Sequence, residues 1–185
     1  MKKLCIDPGH GMGNRAAGVY DPGAVGGSMA EADVALAFAL TIKHVFRQAG
    51  IDVYLTRDDS SDVTPVGQRD NEANAAGCTH FLSLHCNAGG QGATGTETFY
   101  RDDSQWARRV QSAALRAFGL RDRGIKTEGA SQHKRLAVMD FKGQACLLEL
   151  GFISNPTDRR ILGSRDARVA LATQLLQVWR SVLIE

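Results

Sequence analysis

Two histidines and two glutamates in this sequence are of the types that a hydrolytic metal site requires. His10 follows the first apolar run, Glu31 opens a strongly helical segment, and His85 closes a later apolar run. Two imidazoles and one carboxylate can hold zinc and leave a fourth position for water. Glu149, inside an apolar run late in the chain, is a fourth candidate. The sequence therefore raises the hypothesis of a zinc hydrolase site built from these four residues.

Each of the four also has a structural explanation when it is considered alone. His10 could be a loop residue, and His85 could be a core histidine bonded to the backbone. Glu31 could complement the dipole at the start of its helix. Glu149 is harder to explain in this way, because a buried carboxylate is costly unless it is paired or used. The combination is therefore more specific than any single member.

The elements that must position these residues alternate between strands and helices. Apolar periodicity and turn residues predict strands over 3–7, 51–56, 79–86, 95–100, 124–127, 136–139 and 144–150. They predict helices over 31–49, 66–76, 104–118 (with Ser104 as N-cap), 155–162 and 165–183. This order predicts a mainly parallel α/β sheet with helices on both faces.

The predicted sheet would bring the candidates to one place, because sites in such sheets gather at the carboxyl ends of strands. His10, His85 and Glu149 all follow or close a strand. Strand alternation places Cys86 on the face opposite His85, so Cys86 is not expected to be a ligand. Asp7 could orient the imidazole of His10, or it could only help the turn that follows it. The long glycine-rich loop over residues 9–27 is of the kind that is usually functional.

The composition predicts one globular domain over residues 1–185, and it excludes several functions. The net charge of +2 gives no argument for nucleic acid, although residues 101–135 carry 9 Lys/Arg against 4 Asp/Glu. That segment is a solvated surface or a patch for an anionic polymer such as cell-wall glycan or its stem carboxylates. No apolar run is long enough to span a membrane, and we do not expect the start to be a signal peptide. The four cysteines lack CxxC spacing and are expected to be buried free thiols.

Other catalytic motifs are not supported. Gly9-His10-Gly11-Met12-Gly13 follows a strand, but the third glycine of a dinucleotide loop is misplaced and no helix follows directly. The sequence has no Gly-Lys-Ser/Thr phosphate loop, and neither Ser28 nor Ser83 stands in a GxSxG setting. We expect Arg57, Asn87 and His133 to be structural or solvated.

Six segments in this chain resemble those of the type-3 N-acetylmuramoyl-L-alanine amidases, which are zinc enzymes that cut peptidoglycan. In chain order they are Ile6-Asp7-Pro8-Gly9-His10-Gly11, Asp21-Pro22-Gly23-Ala24, Glu31, Leu55-Thr56-Arg57, Ser83-Leu84-His85-Cys86-Asn87-Ala88 and Leu148-Glu149-Leu150-Gly151-Phe152-Ile153-Ser154-Asn155. The resemblance extends from residue 3 to the last helix. It departs at residues 12–20, which separate the first histidine from the Asp-Pro-Gly-Ala segment and which we expect at the rim of the site.

The resemblance implies a three-layer sandwich with a mixed, mainly parallel sheet of about six strands. It implies that His10, Glu31 and His85 bind zinc, and that Glu149 is the catalytic carboxylate. Glu149 would take a proton from the attacking water and pass one to the departing L-alanine nitrogen. The partner would be peptidoglycan, through its glycan strand and stem peptide, with no nucleic acid and no membrane involved.

Two rival functions stay open at this point. One is a zinc peptidase that cuts within the stem peptide, and the other is a non-catalytic wall-binding domain on the same scaffold. We also expect a monomer that is constitutively active, because no long helix is inserted between His85 and Glu149 to block the site. The lack of an export signal and the reduced cysteines suit a phage-type lysin, made in the cytoplasm and acting on the cell wall after release. A catalytic domain of an exported bacterial enzyme is the alternative.

Overall fold

The computed structural model describes residues 1–90 and 92–185, and a single mixed sheet organises them. The strands are β1 (Leu4–Pro8), β2 (Gly11–Met12), β3 (Tyr20–Asp21), β4 (Val25–Gly26), β5 (Met29–Ala30), β6 (Val53–Leu55), β7 (His80–Asn87), β8 (Thr96–Tyr100), β9 (Asp122–Thr127) and β10 (Gln144–Phe152). Within the described ranges, the main sheet has six strands in the order β6-β1-β7-β10-β8-β9. Strands β6, β1, β7 and β10 are parallel, whereas β8 and β9 run the other way. The predicted mixed, mainly parallel sheet is confirmed.

Helices cover the sheet on both sides. They are α1 (Glu31–Gln48), α2 (Arg69–Ala75), α3 (Ser104–Phe118), α4 (Pro156–Leu162) and α5 (Arg165–Leu183). The larger core lies between one face of the sheet and α1, α3 and α5. A smaller core on the opposite face joins Phe81, Phe99 and Leu147 of the sheet to α2 and to a short 3-10 helix, Ala137–Asp140. This arrangement is the predicted three-layer sandwich.

The smaller core leaves one end of its sheet face open. Along β7 and β10, Phe81 and Leu147 are covered, but His85 and Glu149, further along the same face, are not part of either core. We call this face of the sheet, with His85 and Glu149 at its open end, the site face. The side chain of Cys86 lies in the larger core on the other face, as strand alternation predicted.

Three details of the predicted secondary structure are wrong. Residues 136–139 do not form a strand, because the 3-10 helix there buries the consecutive Val138 and Met139, which a strand would direct to opposite sides. Asp103 rather than Ser104 caps α3, because its carboxylate accepts the backbone N–H of Gln105 at 2.8 Å while Ser104 is already helical. Helix α2 starts only at Arg69, after a turn in which Gln68 N–H donates to the carbonyl of Pro65.

The state of the cysteines and the membrane-spanning potential of the helices were also expectations drawn from composition. All four cysteines are buried and free, as predicted. No helix within residues 1–90 and 92–185 combines the length and the apolar character that a membrane span needs. The glycine-rich loop predicted over residues 9–27 contains two small ladders, β2 with β3 and β4 with β5.

Candidate metal site and catalytic carboxylate

His10, Glu31 and His85 meet at the open end of the site face. Each offers one donor atom, and these donor atoms all lie within 4.8 Å of one another. His10 follows β1, His85 lies near the end of the adjacent parallel strand β7, and Glu31 is the first residue of α1. Their side chains are 12%, 5% and 19% exposed for His10, Glu31 and His85, so the cluster is shielded but reachable.

Glu31 is the centre of the cluster. Its Oε1 lies 3.1 Å from Nε2 of His10 and 2.8 Å from Nδ1 of His85, and it also accepts the backbone N–H of Cys86. Its Oε2 accepts the N–H of Ala24 at 2.8 Å. Burial opposes ionisation of Glu31, but the two imidazoles outweigh it and hold the pKa of this carboxyl below its usual range. Glu31 is therefore an ionised carboxylate that its surroundings hold in place, and its oxygen can serve as a metal-donor atom.

The imidazole of His10 is oriented by Asp21, a role that was one of the two alternatives for Asp7. His10 Nδ1 lies 3.1 Å from Oδ2 of Asp21, which also accepts from Asn14 Nδ2 at 2.7 Å and from Arg15 Nε at 3.1 Å. Burial opposes the ionisation of Asp21, but the N–H of Gly23 and the contact with His10 lower its pKa to about 2. Residues 12–20 are therefore more than a rim, because Asn14 and Arg15 hold the group that orients a candidate ligand.

Asp7 points to a different set of partners. Its carboxylate accepts hydrogen bonds from Thr56 Oγ1 at 2.6 Å, Ser83 Oγ at 2.6 Å and Arg69 Nη1 at 2.7 Å. The backbone turns away after Pro8, so the side chain of Asp7 stays in the sheet while His10 leaves it. Asp7 supports the strands under the site, and it does not contact the His10 ring.

Two buried arginines hold the turn that carries His10. Arg57 donates to the carbonyls of Pro8, Gly9 and Ala32, and Arg69 donates to those of Pro8, His10 and Thr64. His10 itself has a φ of 59°, a left-handed conformation that is uncommon for a residue with a side chain. Such strained residues cluster at functional sites and persist only where the surroundings fix them. Arg57 is structural, as expected, whereas the role of Arg69 was not predicted.

Two glycines give the candidate ligands the space that they occupy. A Cβ atom on Gly9 would lie 2.4 Å from Nε2 of His85, and one on Gly23 would lie 2.6 Å from Oε2 of Glu31. Both distances are far below van der Waals contact, so neither position accepts a side chain without moving a candidate ligand. The glycines of the Asp-Pro-Gly segments are therefore required by close packing against the site.

Glu149 lies beside the cluster on the neighbouring strand. In the sheet register it pairs with His85 of β7 on one side and with Glu97 of β8 on the other. Its Oε2 is buried and has no hydrogen-bond partner among the described residues. Burial raises the pKa of this carboxyl well above its usual value, and the negative charges of Glu31 and Glu97 raise it further. The site face thus offers an unpaired carboxyl oxygen next to three potential metal ligands.

Comparison with known proteins identifies the family. A family model described as N-acetylmuramoyl-L-alanine amidase matches residues 4–178. The chain belongs to this family. The structure of this chain is similar to that of the catalytic domain of CwlV, an N-acetylmuramoyl-L-alanine amidase from Bacillus (Paenibacillus) polymyxa var. colistinus. That structure has a TM-score of 0.85 and 29% sequence identity, and the match covers 100% of this chain and 99% of that one.

Curated amidases are also similar in sequence. The chain is 28% identical over 192 residues to the germination-specific N-acetylmuramoyl-L-alanine amidase of Bacillus subtilis, with 94% of this chain and 76% of that protein covered. It is 31% identical over 175 residues to the amidase CwlM of Bacillus licheniformis, with 89% of this chain and 62% of that protein covered. The family resemblance and the enzyme class predicted from the sequence are confirmed.

This member of the amidase family carries a charged cluster that sequence analysis did not assign to the site. Glu97 is buried, and it accepts hydrogen bonds from Asn87, Arg123 and Lys126. Burial opposes ionisation of Glu97, but the two cations outweigh it and keep its pKa below the usual range. The only signal in the sequence was the basic excess of residues 101–135, which is too broad to single out these side chains.

Proposed function

We propose that this chain hydrolyses the amide bond between N-acetylmuramic acid and L-alanine in peptidoglycan, with a zinc ion held by His10, Glu31 and His85. The observation that carries the proposal is the convergence of these three donors within 4.8 Å, beside the unpaired carboxyl oxygen of Glu149. Membership of the amidase family and similarity to named amidases support the choice of bond.

The residues present fit a zinc ion. Two imidazole nitrogens and one carboxylate oxygen form a donor set that catalytic zinc sites use. Ligating histidines usually donate their second N–H to a carboxylate, and Asp21 stands in that position behind His10. When bound, zinc supplies Lewis acidity toward a carbonyl oxygen and a water of lowered pKa.

Glu149 is proposed to carry the proton. Hydrolysis of an amide requires a base for the attacking water and an acid for the departing amine, and one carboxyl can serve both needs in turn. The unpaired Oε2 is the atom that would accept and release the proton. The raised pKa of Glu149 favours the second step, in which the carboxyl donates a proton to the departing amine. A carboxyl with a raised pKa keeps its proton to higher pH and can therefore still donate it near neutral pH.

The deciding experiment is mass spectrometry of the products released from purified sacculi. We expect stem peptides with a free L-alanine amine, abolished by a chelator and restored by zinc. Glu149→Gln, which keeps the side-chain shape, serves as the inactive control.

Other products would change the assignment. Peptides cut at an internal bond would identify a zinc peptidase acting within the stem. Zinc binding without any released product would favour a wall-binding domain. Release that persists in metal-free protein would remove the proposed role of the three ligands.

A further inference from the structure

Two cationic side chains lie beside Glu97, the register partner of Glu149, and neither has a role in the proposed hydrolysis. Arg123 and Lys126 extend from β9, and both donate to Oε2 of Glu97, through Nε at 2.8 Å and Nζ at 2.6 Å. Glu97 and Glu149 are register partners on β8 and β10. Such partners stand on the same face with Cβ atoms about 4.5–5.5 Å apart. The two cations therefore lie about one strand spacing from the proposed proton carrier.

The charges of Glu97, Arg123 and Lys126 do not cancel. One cation would neutralise Glu97, whose Oε1 already accepts a hydrogen bond from Asn87 Nδ2 at 2.7 Å. The side chains of Arg123 and Lys126 are 28% and 33% exposed. Neither Nη nitrogen of Arg123 donates to a residue in the part of the chain that the structure describes, and neither is buried. The cluster thus keeps one net positive charge and donors that solvent can reach.

The guanidinium group of Arg123 is also held in place. Its central carbon lies 4.8 Å from the ring centroid of Phe152, which is itself buried at the end of β10. Stacking on an aromatic ring and an ion pair through Nε leave the outer fork of the guanidinium in a fixed direction. A fixed fork with two outer nitrogens matches the geometry of a carboxylate.

We propose that Arg123 and Lys126 form a subsite for a carboxylate of the stem peptide on the departing-amine side of the cleaved bond. This inference rests on the proposed function. An extended peptide advances about 3.3 Å per residue, and neighbouring strands lie about 4.8 Å apart. A carboxylate one or two residues past the cleaved bond therefore reaches the cations while that bond lies at Glu149. The stem peptide would run across the sheet from β10 toward β9, with the glycan on the His10 side.

A single carboxylate explains the cluster better than an extended polyanion does. Three of the seven other cations of residues 101–135 form ion pairs: Arg101 with Glu128 and Asp140, Arg109 with Glu185, and Arg135 with Asp140. Those on α3 belong to a helix that packs on the face opposite the site. The fold therefore divides the basic segment, and Arg123 and Lys126 are the cations of this segment that pair with Glu97, the register partner of Glu149.

The test uses two N-acetylmuramoyl peptides that differ only at the second residue, where the free carboxyl is present either as the acid or as the primary amide. For the unaltered protein we expect kcat/KM for the acid to exceed that for the amide by about tenfold, equivalent to about 1.4 kcal/mol. Arg123→Gln and Lys126→Gln should each move this ratio toward one. Arg123→Lys retains the charge and should keep more of the preference than Arg123→Gln.

Arg116→Gln is the matched control, because Arg116 lies on α3 and bonds to Gln174 and Ser112 away from the site. It should keep the full ratio. Zinc content measured in every variant shows whether the site is still assembled. A ratio that stays constant while both rates fall would mean that the cations only support Glu97, and it would overturn the subsite. Equal rates on the two substrates for the unaltered protein would overturn it as well. If that protein cleaved neither substrate, the proposed function would fail, and the subsite with it.

Discussion

Asp21 stands opposite Gly11 in a small two-stranded ladder, and its Oδ2 lies 3.1 Å from Nδ1 of His10. The other ring nitrogen of His10, Nε2, faces Oε1 of Glu31 at 3.1 Å. The contact with Asp21 therefore selects which nitrogen of His10 is presented to the other candidate ligands. Asp21 is in turn held by Asn14 and Arg15. Residues 12–20 therefore influence the orientation of the His10 imidazole through the carboxylate of Asp21.

Removal of the Asp21 carboxylate should weaken metal binding. Loss of a group that orients a ligating histidine typically lowers metal affinity about 10–100-fold, and we expect Asp21→Ala to fall in this range. Competition with a chromogenic chelator measures the affinity for zinc. Asp166→Ala, at an exposed position in the first turn of α5, is the control and should bind as the unaltered protein does. Unchanged affinity in Asp21→Ala would contradict the orienting role.

Glu149→Gln should separate metal binding from turnover. The amide keeps the size of the side chain but cannot accept the proton, so we expect kcat to fall by about 10²–10⁴-fold with the zinc content unchanged. Glu185→Gln, which changes an exposed carboxylate near the end of the chain, should leave both quantities as they are. Loss of zinc from Glu149→Gln would instead assign Glu149 to the ligand set.

Gly9→Ala should damage the site through packing alone. The added methyl group would lie 2.3 Å from Cε1 and 2.4 Å from Nε2 of His85, so the imidazole has to move. We expect lower zinc affinity together with a lower free energy of unfolding. Gly67→Ala is the matched control, because a Cβ atom there meets nothing within 4 Å among the described residues. Equal zinc affinity in both variants would show that the His85 ring can shift without consequence.

Asp7 should contribute to the loss of stability in acid. Burial opposes its ionisation, but Arg69, Ser83 and Thr56 outweigh it and hold the pKa of Asp7 below the usual range. A lowered pKa contributes stability that is complete above the unfolded value of about 3.9 and is lost as the pH falls through the folded value. Urea unfolding between pH 3 and pH 7 measures this dependence.

Asp7→Asn should make the acid limb shallower, because Asp7 no longer titrates while Glu31, Asp21 and Glu97 still do. It should also lower the free energy of unfolding at pH 7 by about 3–5 kcal/mol, since Arg69 would keep a buried charge without its partner. Asp52→Asn, at an exposed position, should change neither quantity. An acid limb in Asp7→Asn as steep as in the unaltered protein would assign the limit to other carboxyls.

The positions of the candidate site residues could be predicted because they obey rules that are local in sequence. His10, His85 and Glu149 each stand near the end of an apolar run, and the carboxyl ends of neighbouring parallel strands lie at one edge of a sheet. The start of α1 at Glu31 follows equally from its helical periodicity. The same reasoning gave the sheet and most helix bounds, including 165–183 for the last helix, which the structure places at Arg165–Leu183.

The support around the ligands could not be predicted in this way. Asp7 and Arg69 are separated by 62 positions, and nothing in either segment indicates that a buried guanidinium will meet that carboxylate. The choice of Asp21 over Asp7 depends on the left-handed conformation of His10 and on the small ladder that places Asp21 opposite Gly11. Asp103 and Ser104 are both good helix caps, so only the backbone geometry decides between them.

The guanidinium groups of Arg57 and Arg69, which lie beneath the turn that carries His10, limit how this site can be transferred to another protein. Grafting the three donors onto another parallel sheet would transfer the ligands but not the carbonyl contacts that Arg57 and Arg69 make. A turn that must hold a histidine at a φ of 59° would then relax toward an ordinary conformation and withdraw its imidazole. The smallest transferable unit is therefore the donor set together with both arginines, and a designer who copies only the motif should expect a well-folded protein with poor metal retention.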